Sequence, residues 1–316
     1  MQQLLLFHGK GMVNDMKKKI LARWQLYLIL VIPITFVLVF SYVPMGGLVI
    51  AFKKYNLRGG IWGSPWVGLE QFVKFFKSIK FTMVLKNTLI LSTYSLLTSF
   101  PIPILFALLL NAMRCKKYKK VIQTVTYIPH FISTVIMVAL IFQLLDYRSG
   151  LYGNLYTLIT NDTPPNILAD GKAFRHIFVW SGIWQNAGYK SILYIAALSS
   201  IDPSLHEAAV IDGASRWQRI WHIDVPGILP TASIMLILAI GNIMSVGYEK
   251  VLLMQNDLNM QYSEIISTYT YKIGLASGRP DYSYSTAIGM FNSVINFIFL
   301  VTANKVSKML GSSGIF

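Results

Sequence analysis

Long uncharged runs recur along this chain, separated by shorter segments in which the charged residues collect. Leu26–Phe52, Asn87–Met113, Val121–Leu145, Val225–Tyr248 and Tyr282–Asn304 contain no Asp, Glu, Lys or Arg. Each exceeds the roughly 20 residues that carry a helix across a bilayer. Ile177–Ile201 has comparable length but carries Lys190. In hydrocarbon the backbone must satisfy its own polar groups, so runs of this length predict helices. The expected fold is all-α, a polytopic membrane protein with six transmembrane helices over 26–304, an N-terminal arm over 1–25 and a tail over 305–316. Six crossings put both ends of the chain on one side.

The connecting segments have patterns of their own. Between the first two runs, GGIWGSPWVGLEQFVKFFKSIK opens on a Gly/Pro-rich turn region. Leu69, Phe72, Val73, Phe76 and Ile79 then mark one face of a short helix, and Glu70, Lys74, Lys77 and Lys80 the other. That is the pattern of a helix lying in the membrane interface. It equally describes an outer helix packed in a small soluble cap. Asp146–Lys172 and Gln255–Asp281, rich in Tyr, Asn, Gly and Pro, suit contact with a soluble partner.

Glu207 to Pro230, EAAVIDGASRWQRIWHIDVPGILP, is a polar, helix-compatible insert between two apolar runs. Asp202 and Ser204 flank Pro203 as at a helix start, and the helix is expected to continue to Ile211. Gly213 supplies the permissive backbone of a sharp bend. Ser215 starts a second short helix whose apolar positions, Trp217, Ile220, Trp221 and Ile223, hold helical spacing until Pro226 is expected to end it. Two short helices joined at a glycine make a compact knob.

Composition and charge narrow the function. Hydrophobic residues make up 54% and charged residues 13% of the chain, half the charged share of an ordinary soluble domain. The arm, the Arg114–Lys120 loop, the knob and the tail hold fourteen Lys and Arg, against thirteen in the loops of the opposite side. The first set is denser and clusters beside helix ends, in MKKKILAR and RCKKYKK. The positive-inside bias therefore makes the knob and both termini cytoplasmic. Leu4 to Phe7 is too short an apolar run for a signal peptide. With a single cysteine, Cys115, no internal disulfide or cysteine metal cluster is available, and the five histidines form no i, i+4 pair. The sequence contains no G-x-x-x-x-G-K-[ST] loop, so ATP chemistry has to come from another polypeptide. None of the six runs contains Asp or Glu, which argues against a proton-coupled carrier. No nucleophile–base pair marks an enzyme. A secondary carrier or channel not driven by ATP stays as the alternative, and a membrane scaffold or sensor as a third reading.

The knob resembles the EAA loop of the membrane subunits of ATP-binding-cassette (ABC) importers, E-A-A, three residues, G-A, then F-x-x-I-x-L-P-x-x-x-P. The chain keeps Glu207, Ala208, Ala209, Gly213, Ala214, Ile223, Pro226 and Pro230, with Ile220 and Val225 in place of Phe and Leu. Asp212 lies within the same match. Stretches such as YIPHFIS, SGIWQNAGYKSILYIAALSSIDP and FNSVINFIFLVTANKVSK extend the likeness to the polysaccharide-type branch of the maltose-type permeases. This resemblance implies a type I ABC importer fold and a bacterial cytoplasmic (inner) membrane location. It implies a second permease subunit, two ATPase subunits that bind ATP and Mg beneath the knob, and an extracytoplasmic solute-binding protein. The chain would then be no enzyme, would hold no cofactor, and would meet membrane lipid and a sugar but no nucleic acid. The sugar would be an oligosaccharide, and the substrates that the resemblance implies for this branch include acidic ones such as alginate or pectin fragments.

In related permeases the sugar lies mid-membrane on the helices flanking the docking loop. Spacing back from Glu207 reaches Asn186 and Tyr189, and spacing forward reaches Asn242 and Ser245. WQNAGYK places amides beside aromatic faces, as sugars require, in Trp184, Gln185, Asn186 and Tyr189. The same residue types also hold helices together and sit at membrane interfaces. Lys190, within a span, either snorkels to water or lines a polar cavity. With Lys53, Lys54, Arg58, Lys74, Lys77, Lys80 and Lys86, opposed in that region only by Glu70, it suggests a positive access route for an anionic sugar. Attraction to anionic lipid headgroups explains outer lysines equally well.

Overall fold

A computed structural model describes residues 22–309 together with 311, 314 and 315. Most of the expected N-terminal arm, up to residue 21, and tail positions 310, 312, 313 and 316 lie outside the described residues. The described chain is a helical assembly without a β-sheet.

Among the described residues four continuous helices are long and apolar enough to cross a membrane: α1 (Trp24–Phe52), α3 (Ile79–Ala112), α9 (Arg216–Gly241) and α12 (Tyr282–Met309). The run expected as one span over Val121–Leu145 is broken into α4 (Lys116–Phe131) and α5 (Thr134–Leu145), bent by 101°. The break has a local cause. Pro129 opens a tight final turn over Ile128–Phe131, and the Ser133 hydroxyl accepts from Ile136 N–H to start a fresh helix. The remaining expected span coincides with α7, Gly171–Ser199, 29 residues long. Arg175, His176 and Lys190 leave it too polar to be marked by apolarity alone. The connecting segments carry α2 (Glu70–Phe76), α6 (Leu151–Thr160), α10 (Tyr248–Met254) and α11 (Ile266–Tyr271), and α8 (Pro203–Ile211) precedes α9.

α7 is the central element. Its outer half, through Phe174, Phe178, Val179 and Ile183, packs with Leu91 of α3, Val138 of α5, and Val251 and Met254 of α10. Tyr194 and Leu198, in its inner half, join Ala107 and Leu108 of α3 and Ile228 and Ala232 of α9. Gly188 makes this packing close: a Cβ there would stand 2.3 Å from the Thr126 carbonyl oxygen of α4. The third cluster joins Phe75 of α2 to Val84, Ile266, Tyr284 and Ile288.

The amphipathic pattern of α2 turns out differently from the sequence reading. Phe75 and Gln71 are its buried residues, while Leu69, Val73, Phe76 and Ile79 of the expected apolar face stay exposed. Phe75 is captured by Phe81, Phe291 and Tyr284 in edge-on ring contacts. Most of the stripe is left uncovered by the described chain, and the out-of-phase Phe75, with Phe72 against Phe52, anchors the helix. α1 likewise buries nothing in its most apolar stretch against the rest of the chain.

Candidate functional site

Two regions bear on function, the knob and a cavity at the far end of α9. In the knob, Asp202 caps α8 by accepting from Ser204 N–H at 2.9 Å, with Pro203 at the first helical position. This hydrogen bond holds the Asp202 carboxyl below its ordinary value. Gly213 has φ +76°, the left-handed conformation that a side chain disfavours, and it turns the chain between the two helices. Ser215 then forms a capping box with Gln218, each side chain bonded to the other's backbone N–H.

The second knob helix does not stop at Pro226. A π-turn over Ile220–Asp224, in which Val225 N–H bonds the Ile220 carbonyl, carries the chain past the proline into one continuous helix to Gly241. Proline lies within the first turn after this wider turn, so it does not end the helix. Glu207, Ala208, Asp212 and Gly213 are exposed, and Ala209 and Ala214 half-buried. Leu205, Val210, Ile211, Trp217 and Trp221 are exposed around them. An exposed apolar rim around small residues and two carboxylates, Glu207 and Asp212, is suited to a protein partner.

α9 ends at Gly241, inside the run expected to continue to Tyr248. Asn242–Gly247 leave the helix, and α10 resumes only at Tyr248. Irregular backbone at membrane depth is tolerated where it lines a cavity. A cavity of about 430 Å³ lies here, between α3, α7, the 242–247 segment and Lys250 of α10. Gln185, Asn186, Lys190, Asn242 and Ser245 all line it. Trp184 and Tyr189 do not. Trp184 is exposed on the outside of α7, and Tyr189 stacks at 3.7 Å on His130 and lines a second, mostly apolar cavity of about 300 Å³ beside the first. Lys190 borders both cavities.

Hydrogen bonding separates the polar residues further. Asn186 is engaged at both ends of its amide, donating to the Gly182 carbonyl at 3.0 Å while its side-chain oxygen meets His130 Nδ1 at 2.9 Å. Gln185 donates to the Ile132 carbonyl and Asn242 to the Leu238 carbonyl, each at 3.0 Å, leaving their side-chain oxygens uncommitted. The Ser245 hydroxyl accepts from Asn296 at 2.8 Å. Lys190 has no hydrogen bond or ion pair among the described residues and is exposed in this single chain.

Sequence reasoning missed Lys250, Ser92, Ser95 and Ser99, which complete the lining. The serines carried a signal, since their spacing places them on one helical face. Lys250 carried none, because only the break after Gly241 folds α10 back onto α7. Its ammonium donates to the Phe178 carbonyl at 3.2 Å and to Ser181 Oγ at 2.8 Å, and one of its three donors remains. Among the described residues no carboxylate lines this cavity.

The positive access route needs correction. Lys74 pairs with Asp281 and Lys80 with Glu264, both at 2.8 Å, while Lys53 is held by the Ile61 and Trp62 carbonyls. Glu264 is buried and also meets Lys272 at 3.4 Å. Carboxylates of the last outer segment, distant in sequence, neutralise lysines that the local pattern left unopposed.

A model of the binding-protein-dependent transport system inner membrane component family matches residues 99–308, which include the knob and the cavity wall from Ser99 onward. The chain belongs to this family. The permease is 41% identical to protein LplB of Bacillus subtilis (strain 168), over 99% of this chain and 96% of that one. It is 42% identical to the polygalacturonan/rhamnogalacturonan transport system permease protein YteP of the same organism, over 94% of this chain and 92% of that one. Among solved structures, a chain of a bacterial ABC transporter involved in import of the acidic polysaccharide alginate aligns with TM-score 0.85 and 40% identity, over 93% of the permease and 99% of that chain. A chain of a bacterial alginate ABC transporter in complex with an alginate pentasaccharide-bound periplasmic protein aligns equally well, at 39% identity over 94% and 99%. The permease is thus a multi-pass inner-membrane component with the ABC importer permease fold, and it is not an enzyme. In such transport systems separate subunits hydrolyse ATP.

Proposed function

We propose that this permease forms half of the path by which an ATP-driven importer moves an acidic oligosaccharide, such as an alginate or pectin fragment, into the cell. The observation that carries the reading is the pairing of two ammonium groups, Lys190 and Lys250, with a cavity that has no carboxylate on its wall. Inside a membrane protein an unpaired charge is costly and is retained where it meets a ligand of opposite sign. Uronate carboxylates supply that sign, and the uncommitted oxygens of Gln185 and Asn242 suit sugar hydroxyls. The relatives whose names mention polygalacturonan or alginate point the same way.

In this reading six crossings make the domain over 26–304, with the knob and both termini cytoplasmic. Glu207, Ala208, Ala209, Asp212, Gly213 and Ala214 enter a cleft of one of two ATPase subunits, which hold ATP and Mg. A second permease closes the cavity beside Lys190, which is exposed in the single chain, and covers apolar surface such as that of α1. The solute-binding protein delivers the sugar to the outer segments.

Lys190→Gln tests the reading. A charge-assisted contact is worth about 1.5–3 kcal/mol, so half-maximal stimulation of ATP hydrolysis by uronate oligomers should need at least about tenfold more substrate. Basal hydrolysis and assembly should persist. An unchanged uronate response would leave Lys190 as a residue that snorkels to the lipid interface.

A further inference from the structure

The knob has few attachments to the spans, and one of them is a buried carboxylate. α8 has no buried side chain. Asp224, at the end of the π-turn in α9, is 4% exposed. His206 of α8 brings Nε2 to 3.3 Å from Asp224 Oδ1. Asn111, at the inner end of α3, donates to the same oxygen at 3.5 Å. Arg219, one turn earlier on α9, adds a favourable charge. One carboxylate thus joins the docking helix, the helix that continues from it, and the inner end of α3.

Its position makes the junction mechanical. From Asp224 the helix runs unbroken to Gly241, about 26 Å at 1.5 Å per residue, and Asn242 follows in the cavity wall. From Asn111, α3 runs back through Ala107 and Leu108, which pack on Tyr194 and Leu198 of α7. A displacement of α8 that moves Asp224 therefore reaches two walls of the cavity through continuous helices. A π-turn at the same point is a local irregularity of the kind often found at functional sites. Beside it a cleft of about 360 Å³, bordered by Asn111, Arg114, His206, Arg219 and Asp224, leaves room for the junction to shift.

We propose that Asp224, held by His206 and Asn111, is the positioning residue that couples movement of the docking knob to the cavity. The proposal rests on the reading of the knob as the ATPase contact. Without the carboxylate, ATPase subunits still dock and hydrolyse, but α8 turns without carrying α9 and α3 with it.

The test uses the full complex of both permeases, ATPases and binding protein in proteoliposomes, with uptake of a uronate oligomer and phosphate release measured together. Asp224→Ala should lower sugar transported per ATP at least about tenfold while basal hydrolysis stays. His206→Phe, at a half-buried position of the docking helix, should show the same defect in smaller measure, and His206→Asn, which keeps a donor, should restore part of it. The double variant Asp224→Ala/His206→Phe should be no worse than Asp224→Ala, the signature of one shared interaction. Unchanged sugar per ATP in an assembled Asp224→Ala complex overturns the proposal. If that variant does not assemble, normal sugar per ATP in His206→Phe overturns it. Cross-linking from Ala208→Cys, in a Cys115→Ser background, reports separately on docking. No cross-link to an ATPase subunit sinks the docking reading, whereas a cross-link together with normal coupling sinks only the role of Asp224.

Discussion

Lys250 and Lys190 occupy one cavity but stand on different footings, which gives each a separate prediction. Lys250 is buried and bonded to the Phe178 carbonyl and Ser181, so it serves packing as well as any ligand. Lys250→Met should weaken the uronate response and also destabilise the chain by about 1–3 kcal/mol, the cost of leaving buried polar groups unpaired. A thermal unfolding midpoint measured beside the substrate response checks both parts. Lys190→Gln should change the substrate response alone. Sequence could mark Lys190, because a lysine interrupts an otherwise apolar helix. It could not mark Lys250, whose approach to α7 depends on a backbone break, nor the pairing of Lys80 with Glu264 across 184 positions. Asn186 was equally legible as a polar group in a span, but its partner His130, brought by the bend between α4 and α5, occupies its oxygen.

Among the elements, the knob was the most legible, because its caps and turn are local chemistry. Asp202, Gly213 and Ser215 do in the structure what their residue types predict. What escaped was the fate of Pro226, since a π-turn has no simple sequence signature and changes which carbonyl faces the proline. The break after Gly241 escaped for a related reason: an apolar run fixes membrane depth, not helical continuity. Gly213 carries the sharpest prediction here. Proline fixes φ near −65°, far from the +76° observed, so Gly213→Pro must redirect α8 relative to α9. The variant should insert into the membrane at normal levels yet transport at a small fraction of the parent rate while basal hydrolysis persists. Normal uptake by Gly213→Pro would contradict the account of the knob.

At the scale of the whole molecule, 54% hydrophobic residues and uncharged runs established a membrane protein before any fold was in view. The resemblance of the knob already implied a second permease, and the structure adds surfaces that the single chain leaves uncovered. α1 leaves its most apolar stretch unburied, and Lys190, on the cavity wall, is exposed in the single chain. Half a pathway should not work alone. Reconstituted with ATPases and binding protein but without a second permease, this chain should take up no sugar; uptake under those conditions would replace the heterodimer by a homodimer. The most direct test of an ATP-driven importer for an acidic oligosaccharide is substrate-stimulated ATP hydrolysis by the complete complex in proteoliposomes, measured across neutral and uronate oligomers of matched length. The account predicts stimulation by uronate oligomers in the presence of the binding protein and little or none by neutral ones. Stimulation by neutral oligomers alone would contradict it.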